Sequence, residues 1–92
     1  MYLEIVTPEA TLFSGDVESV AVPGTNGEFQ MLNNHAPVVS TLGKGTVKIY
    51  GDIKLHKDVA AKFTKGDKDA TLLEINSGTV EMKDNKVIVL AD

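Results

Sequence analysis

The chain has 92 residues, 42% of them apolar, with no Cys, no Trp and a formal net charge of -4. That length suits one domain with a single core that stands without disulfides or a metal, and a chain without Cys has neither a disulfide framework nor thiolate chemistry. Every basic residue is a Lys at position 44 or later, so residues 1–43 carry Glu4, Glu9, Asp16, Glu18 and Glu28 with no cation opposite. Phosphate binding needs a net basic face, which argues against nucleic acid and for a partner that presents positive charge to the acidic half.

The start of the chain, Met1-Tyr2-Leu3-Glu4-Ile5-Val6-Thr7-Pro8, has no basic n-region and no long apolar core, and does not read as a signal peptide. No apolar run approaches the roughly 20 residues a membrane-spanning helix needs, so membrane association is expected to go through another protein.

In chain order the pattern is strand, turn, strand. Leu3 and Ile5 alternate with Tyr2, Glu4 and Val6, and Thr7-Pro8-Glu9-Ala10 interrupts, because Pro removes a ladder donor and restricts its own backbone. Residues 11–13 read as a second strand ended by Ser14-Gly15-Asp16, and residues 17–22 as a third ended by Pro23-Gly24. Residues 29–32 and 38–42 are brief strands, and residues 46–50 alternate strictly, with Val47 and Ile49 inward against Thr46, Lys48 and Tyr50.

Across residues 53–70, Ile53 and Leu55 with polar neighbours favour a strand, while Asp58-Val59-Ala60-Ala61-Lys62-Phe63 would also form a helical turn capped by Asp58. Lys65-Gly66-Asp67-Lys68-Asp69 reads as an exposed charged loop. Residues 72–75, 79–82 and 87–90 are three further strands, joined by Asn76-Ser77-Gly78 and by Asp84-Asn85, a two-residue loop whose side chains tolerate positive φ. About ten short strands at this spacing predict an all-β, antiparallel β-sandwich over residues 1–92.

Residues 24–37 hold the densest cluster of chemistry: two Gly, Glu28, Phe29 and His35 before Ala36-Pro37. His56 is the only other histidine, and no His-Glu-x-x-His pattern, Gly-x-Ser-x-Gly elbow or Lys-Ser/Thr after a Gly-rich turn accompanies them. Metal binding, nucleophilic catalysis and phosphate cradling are therefore not expected, and neither is a cofactor. Glu28 admits two readings, a solvated carboxylate beside a turn or an acid that meets a cation on a partner; an exposed pair of that kind orients a contact more than it drives one.

The order of several fragments carries a resemblance. Leu3-Glu4-Ile5-Val6-Thr7-Pro8, Phe13-Ser14-Gly15, Gly27-Glu28-Phe29, Asn34-His35-Ala36-Pro37, Gly45 with Val47-Lys48-Ile49, and Ser77-Gly78-Thr79-Val80-Glu81 before Val87-Ile88-Val89-Leu90-Ala91-Asp92 resemble the epsilon subunit of F-type ATP synthase. The resemblance implies a ten-stranded sandwich at the foot of the central stalk. Such a subunit is a rotor part with no catalysis of its own, bound to the gamma subunit and resting on the ring of membrane c subunits, and it transmits torque for proton-driven ATP synthesis.

The resemblance also implies that the Gly-Glu turn and the His-Ala-Pro loop lie at the ring-facing end, so Glu28, Phe29, Asn34, His35, Ala36 and Pro37 are the ring-facing candidates. Family members commonly continue into two C-terminal helices that restrain ATP hydrolysis or bind ATP. This sequence stops at Asp92, so one domain without the helical pair is expected, and neither property is carried across.

Residues 51–73 differ from the family's shorter central hairpin, and Asn76-Ser77-Gly78 stands where Ser-Gly-Gly is usual. The expected place is the cytoplasmic face of a bacterial membrane, peripheral, since no transit segment precedes the domain. A free-standing recognition module is the second reading and a small hydrolase the third. A stoichiometric complex with gamma distinguishes the first from both.

Overall fold

In the computed structural model, which describes residues 1–92, the alternation of apolar side chains becomes ten strands of one curled sheet. They are β1 (Tyr2–Val6), β2 (Thr11–Asp16), β3 (Ser19–Gly24), β4 (Gly27–Met31), β5 (Val38–Leu42), β6 (Gly45–Tyr50), β7 (Phe63–Lys65), β8 (Thr71–Ile75), β9 (Gly78–Lys83) and β10 (Lys86–Ala91). Strands run in the order β2-β1-β10-β9-β5-β3-β6-β8-β7, with β4 on the second side of β3. All pairings are antiparallel except β1 with β10, which lie parallel.

The sheet folds over where β5 meets β3 through a single residue pair, Gly24 with Leu42. This leaves two five-strand layers, β2-β1-β10-β9-β5 and β7-β8-β6-β3-β4, whose inner residues form one core. Leu3, Ile5, Val80, Met82, Val87 and Val89 come from the first layer and Val20, Val22, Met31, Val47 and Ile49 from the second, all fully or almost fully buried. Period-two alternation explains the selection: one register puts all of them on the inner face.

The switch of neighbours explains why β3 tolerates Pro23, where the sequence suggested an end. Residues Ser19, Val20 and Ala21 pair with β6, but β3 has left that ladder by Pro23, so no β6 acceptor waits for the missing N–H. The Pro23 carbonyl still accepts Gly43 N–H at 2.8 Å. The second strand likewise continues through Ser14, Gly15 and Asp16, because they pair with Glu4, Leu3 and Tyr2 and because Tyr2 Oη and Ser14 Oγ share a hydrogen bond. The fourth strand ends at Met31, one residue before the expected boundary.

Residues 53–70 correct the expectation more deeply. No strand forms over 53–59; a short 3₁₀ helix occupies Ala60–Lys62, its N-cap is Val59 with no side-chain cap, and the single strand of the region is β7. Asp58 does not cap; its N–H donates to His56 Nδ1 at 3.2 Å. Ile53, Leu55 and Val59 are half-buried against the core. A strap that lays alternate side chains on a core has the same period as a strand, and only the absence of a neighbouring edge distinguishes the two. Gly66 leads into a tight turn, Asp67–Asp69, in which Lys68 and Asp69 each take a left-handed φ of 59° and the charged side chains are exposed as expected.

Two of the four hairpin turns, β3–β4 and β9–β10, show their residue chemistry directly. Asp84 and Asn85 take φ of 53° and 60°, and Gly27 takes 125° at the close of the β3–β4 turn. Gly78 answers a different need. It pairs with Ala91 on one side and Leu42 on the other, and a Cβ there would overlap the Leu90 carbonyl oxygen. Gly78→Ala is therefore expected to lower stability by about 1–3 kcal/mol through forced strand displacement, whereas at Gly43→Ala, whose added Cβ meets only Thr25 Cγ2 at 3.9 Å, the change is neutral or stabilising by up to about 1 kcal/mol. Urea unfolding of both variants checks the contrast.

Candidate functional site

Strand β4 pairs only with β3, so its outer side is a free sheet edge, and the six candidate residues lie along it and in the loop that follows. Glu28 is the second residue of the strand, opposite Pro23 and exposed on its layer. Its Oε1 sits 3.2 Å from Lys48 Nζ, which reaches across β3 from β6. The cation that Glu28 meets is thus one of this chain's own. Phe29 points inward against the core, and its Cε1 lies 2.9 Å from where a Cβ on Gly24 would stand. That contact makes Phe29 chiefly a wedge that seats the turn.

After Met31 the chain leaves the sheet through the loop 32–37. Leu32 is 59% exposed, and its carbonyl accepts His35 N–H at 3.0 Å. Asn34 adopts a left-handed φ of 61°, and its N–H donates to Asn85 Oδ1 at 2.8 Å. The Met1 amine donates to Asn33 Oδ1 at 2.8 Å. His35 Nδ1 donates to the Ala36 carbonyl at 2.7 Å, which leaves Nε2 as the ring atom open to a partner. Asn34, His35, Ala36 and Pro37 are all exposed.

The structure does not bring the two halves of the cluster together. The 24–27 turn lies beside β5, where Thr25 N–H donates to the Thr41 carbonyl at 3.1 Å, while the 32–37 loop lies beside the β9–β10 turn. Because β4 runs between them, they flank opposite ends of that strand, and the arrangement is a ribbon along an edge instead of one loop pair at an end. His56 stands apart, on the strap near Thr11–Ser14, with Asp58 Oδ2 at 3.5 Å from its Nδ1. No group of three or more His, Cys, Asp or Glu side chains is arranged to hold a metal ion.

A second surface lies on the outer face of the first layer. Val39 on β5 is 77% exposed and Leu90 on β10 is 51% exposed. Val6 pairs with Leu90 and Ile88 stands two residues along β10, with Glu81 between Ile88 and Val39 in register and Glu4 beyond Ile88, and a shallow depression between Val6, Pro8, Thr79 and Leu90 adjoins them. The signal for this surface was present in the sequence: Val38-Val39 and Val87-Ile88-Val89-Leu90 are unbroken apolar runs, and in a strand half of such a run must face outward. Lys48 and Asn85 had no such signal, since their partners are set by cross-strand register and by a contact 51 residues away.

The sequence profile described as the ATP synthase delta/epsilon chain, β-sandwich domain, matches residues 1–92. The chain belongs to this family. Among its relatives, the ATP synthase epsilon chain of Campylobacter curvus is 40% identical over 92 residues, which is all of this chain and 60% of that one. The epsilon chain of Leptospira interrogans is 38% identical over 90 residues, covering 98% and 59% respectively. The chain thus spans about three-fifths of the length of these relatives.

Among solved structures, the fold is similar to a chain of the Tetrahymena thermophila mitochondrial ATP synthase central stalk and c-ring, with a TM-score of 0.71 at 16% identity, over 99% of this chain and 62% of that one. It is also similar to a chain of the Euglena gracilis mitochondrial ATP synthase, in a structure of OSCP, F1 and c-ring, with a TM-score of 0.72 at 14% identity over 97% and 48%. At such identities the likeness is one of fold.

The Glu28–Lys48 pair is solvent-exposed, so a double-mutant cycle with Glu28→Gln and Lys48→Met is expected to return a coupling of about 0–1 kcal/mol that shrinks as salt is raised. A salt-insensitive coupling well above that range would make the pair a structural element of the fold.

Proposed function

We propose that this chain is the sandwich of an epsilon-type rotor subunit, a non-catalytic part of a rotary, proton-transporting ATP synthase that links gamma to the c ring. The observation that carries the reading is the match of the whole chain to this family at about 40% identity with relatives named epsilon chains. The geometry supports it with two separate surfaces on one close-packed body, 32 × 24 × 24 Å in extent. The polar ribbon from Glu28 to Pro37, with Asn34, His35 and Ala36, faces the ring, and the apolar face around Val39 and Leu90 receives gamma. Apolar contact suits a permanent partner, and a polar edge suits the charged loops of a ring.

Areas are consistent with this division. A standard interface takes roughly 800 Å² from each partner, so two of them occupy under a third of a surface of 5540 Å². Torque transfer needs stiffness in the body that joins the two. No helix of the chain is long and apolar enough to cross a membrane, and the proposed location is peripheral, on the cytoplasmic side of a bacterial membrane, through the ring.

Co-expression of the full chain with gamma, followed by native mass spectrometry, is expected to give a one-to-one complex at micromolar concentration, and Val39→Glu with Leu90→Glu is expected to abolish it. No complex with the unaltered chain would favour a free-standing recognition module. Glu28→Lys is expected to reduce proton-driven ATP synthesis by the assembled enzyme while shifting the stability of the isolated fold by no more than about 1 kcal/mol. Unchanged synthesis removes Glu28 from the ring surface.

A further inference from the structure

The β9–β10 hairpin closes through two residues at positive φ, Asp84 and Asn85, the pattern of a type I′ turn. The second centre of such a turn favours Gly, because positive φ penalises a residue that carries a Cβ. Asn85 holds that place with a side chain that is in use. Its Oδ1 accepts the Asn34 N–H at 2.8 Å, and its backbone carbonyl accepts the Tyr2 N–H at 3.1 Å.

The receiving end is equally specific. Asn34 is the left-handed residue of the 32–37 loop and immediately precedes His35. Inside the loop, His35 N–H is satisfied by the Leu32 carbonyl. From outside, the Met1 amine holds the Asn33 side chain, and Asn85 holds the backbone itself. Holding the Asn34 N–H narrows the directions in which His35 can leave, since only φ and ψ of Asn34 separate the held peptide from the His35 peptide, whose own N–H is bound to the Leu32 carbonyl.

We propose that Asn85 is a positioning residue for the His35 loop: from the tip of the β9–β10 hairpin it sets the backbone of Asn34 and thereby the presentation of His35, Ala36 and Pro37 to a partner. The part about presentation rests on the reading of this loop as a ring-facing surface. The coupling between turn and loop rests on the geometry alone.

Amide hydrogen exchange of the full chain, read residue by residue by NMR, tests it with Asn85→Gly and Asn85→Asp. The Gly variant suits the turn and removes the acceptor, so the unfolding midpoint should hold while exchange at Asn34 rises about threefold to tenfold, the range that loss of one hydrogen bond of ordinary net strength allows. The Asp variant keeps an oxygen acceptor and tolerates positive φ, and should restore protection. Equal exchange at Asn34 in the wild type and Asn85→Gly overturns the proposal. So does a fall of the midpoint in Asn85→Gly, which would make Asn85 a structural turn residue.

Capture of the chain with gamma on purified c ring completes the test, with weaker capture expected for Asn85→Gly and recovery for Asn85→Asp. Faster exchange with unchanged capture overturns the positioning role. Wild-type capture by Glu28→Lys and His35→Ala instead overturns the ring-facing reading and leaves the exchange result standing.

Discussion

The architecture depends on the path of β3. Its first half lies in one layer against β6 and its last residue reaches the other through the single Gly24–Leu42 pair, so one strand belongs to both layers of the sandwich. Ten strands with one apolar face each have no stable flat arrangement in water; the sheet must close on itself so that the inner faces cover one another. Pro23 and Gly24 sit where this fold-over occurs, one without a donor at the point where β3 has left the β6 ladder, the other without a Cβ at the point where Phe29 packs closest.

That closure determines what is left outside. Once β3 is committed to β6 on one side and to β4 on the other, β4 has no second neighbour, and its edge runs open from Glu28 to the 32–37 loop. Open edges are usually protected by charge or irregular backbone. Here Glu28 is engaged by Lys48 and the loop is pinned from the N-terminal segment and from the β9–β10 turn. The same closure leaves Val39 and Leu90 on the outer face of the opposite layer. Two surfaces of different chemistry thus belong to one body, which is what the proposed coupling of two partners would need. The proposed rotor role calls for a body that does not deform, and a close-packed core with 53 backbone hydrogen bonds is such a body.

The strand pattern was legible because side-chain period is a local property. Residues 46–50 and 38–42 alternate or run apolar in the sequence itself, and Asp84-Asn85 announces its turn by composition; all three appear in the structure within a residue of the expected bounds. The strap at 53–59 was not legible, because Ile53 and Leu55 obey the same period whether or not a sheet edge accepts their backbone. The extension of β2 through Ser14-Gly15-Asp16 was hidden for the converse reason: residues that make good turns also pair when a partner strand is in register.

By itself the sequence determined the all-β class, nine of the ten strands (all but β7), the two turn-rich ends of the Glu28–Pro37 stretch and, through the order of its fragments, the family. These follow from local period, turn chemistry and motif order, which need no third dimension. Only the tertiary structure decided that β1 and β10 pair in parallel, that Glu28 meets Lys48, that β4 separates Glu28 from His35, and that Asn85 holds the His35 loop across 51 residues. Each of these is a contact between segments distant in the chain, and its partner is chosen by register and closure of the sheet, quantities that no single segment contains.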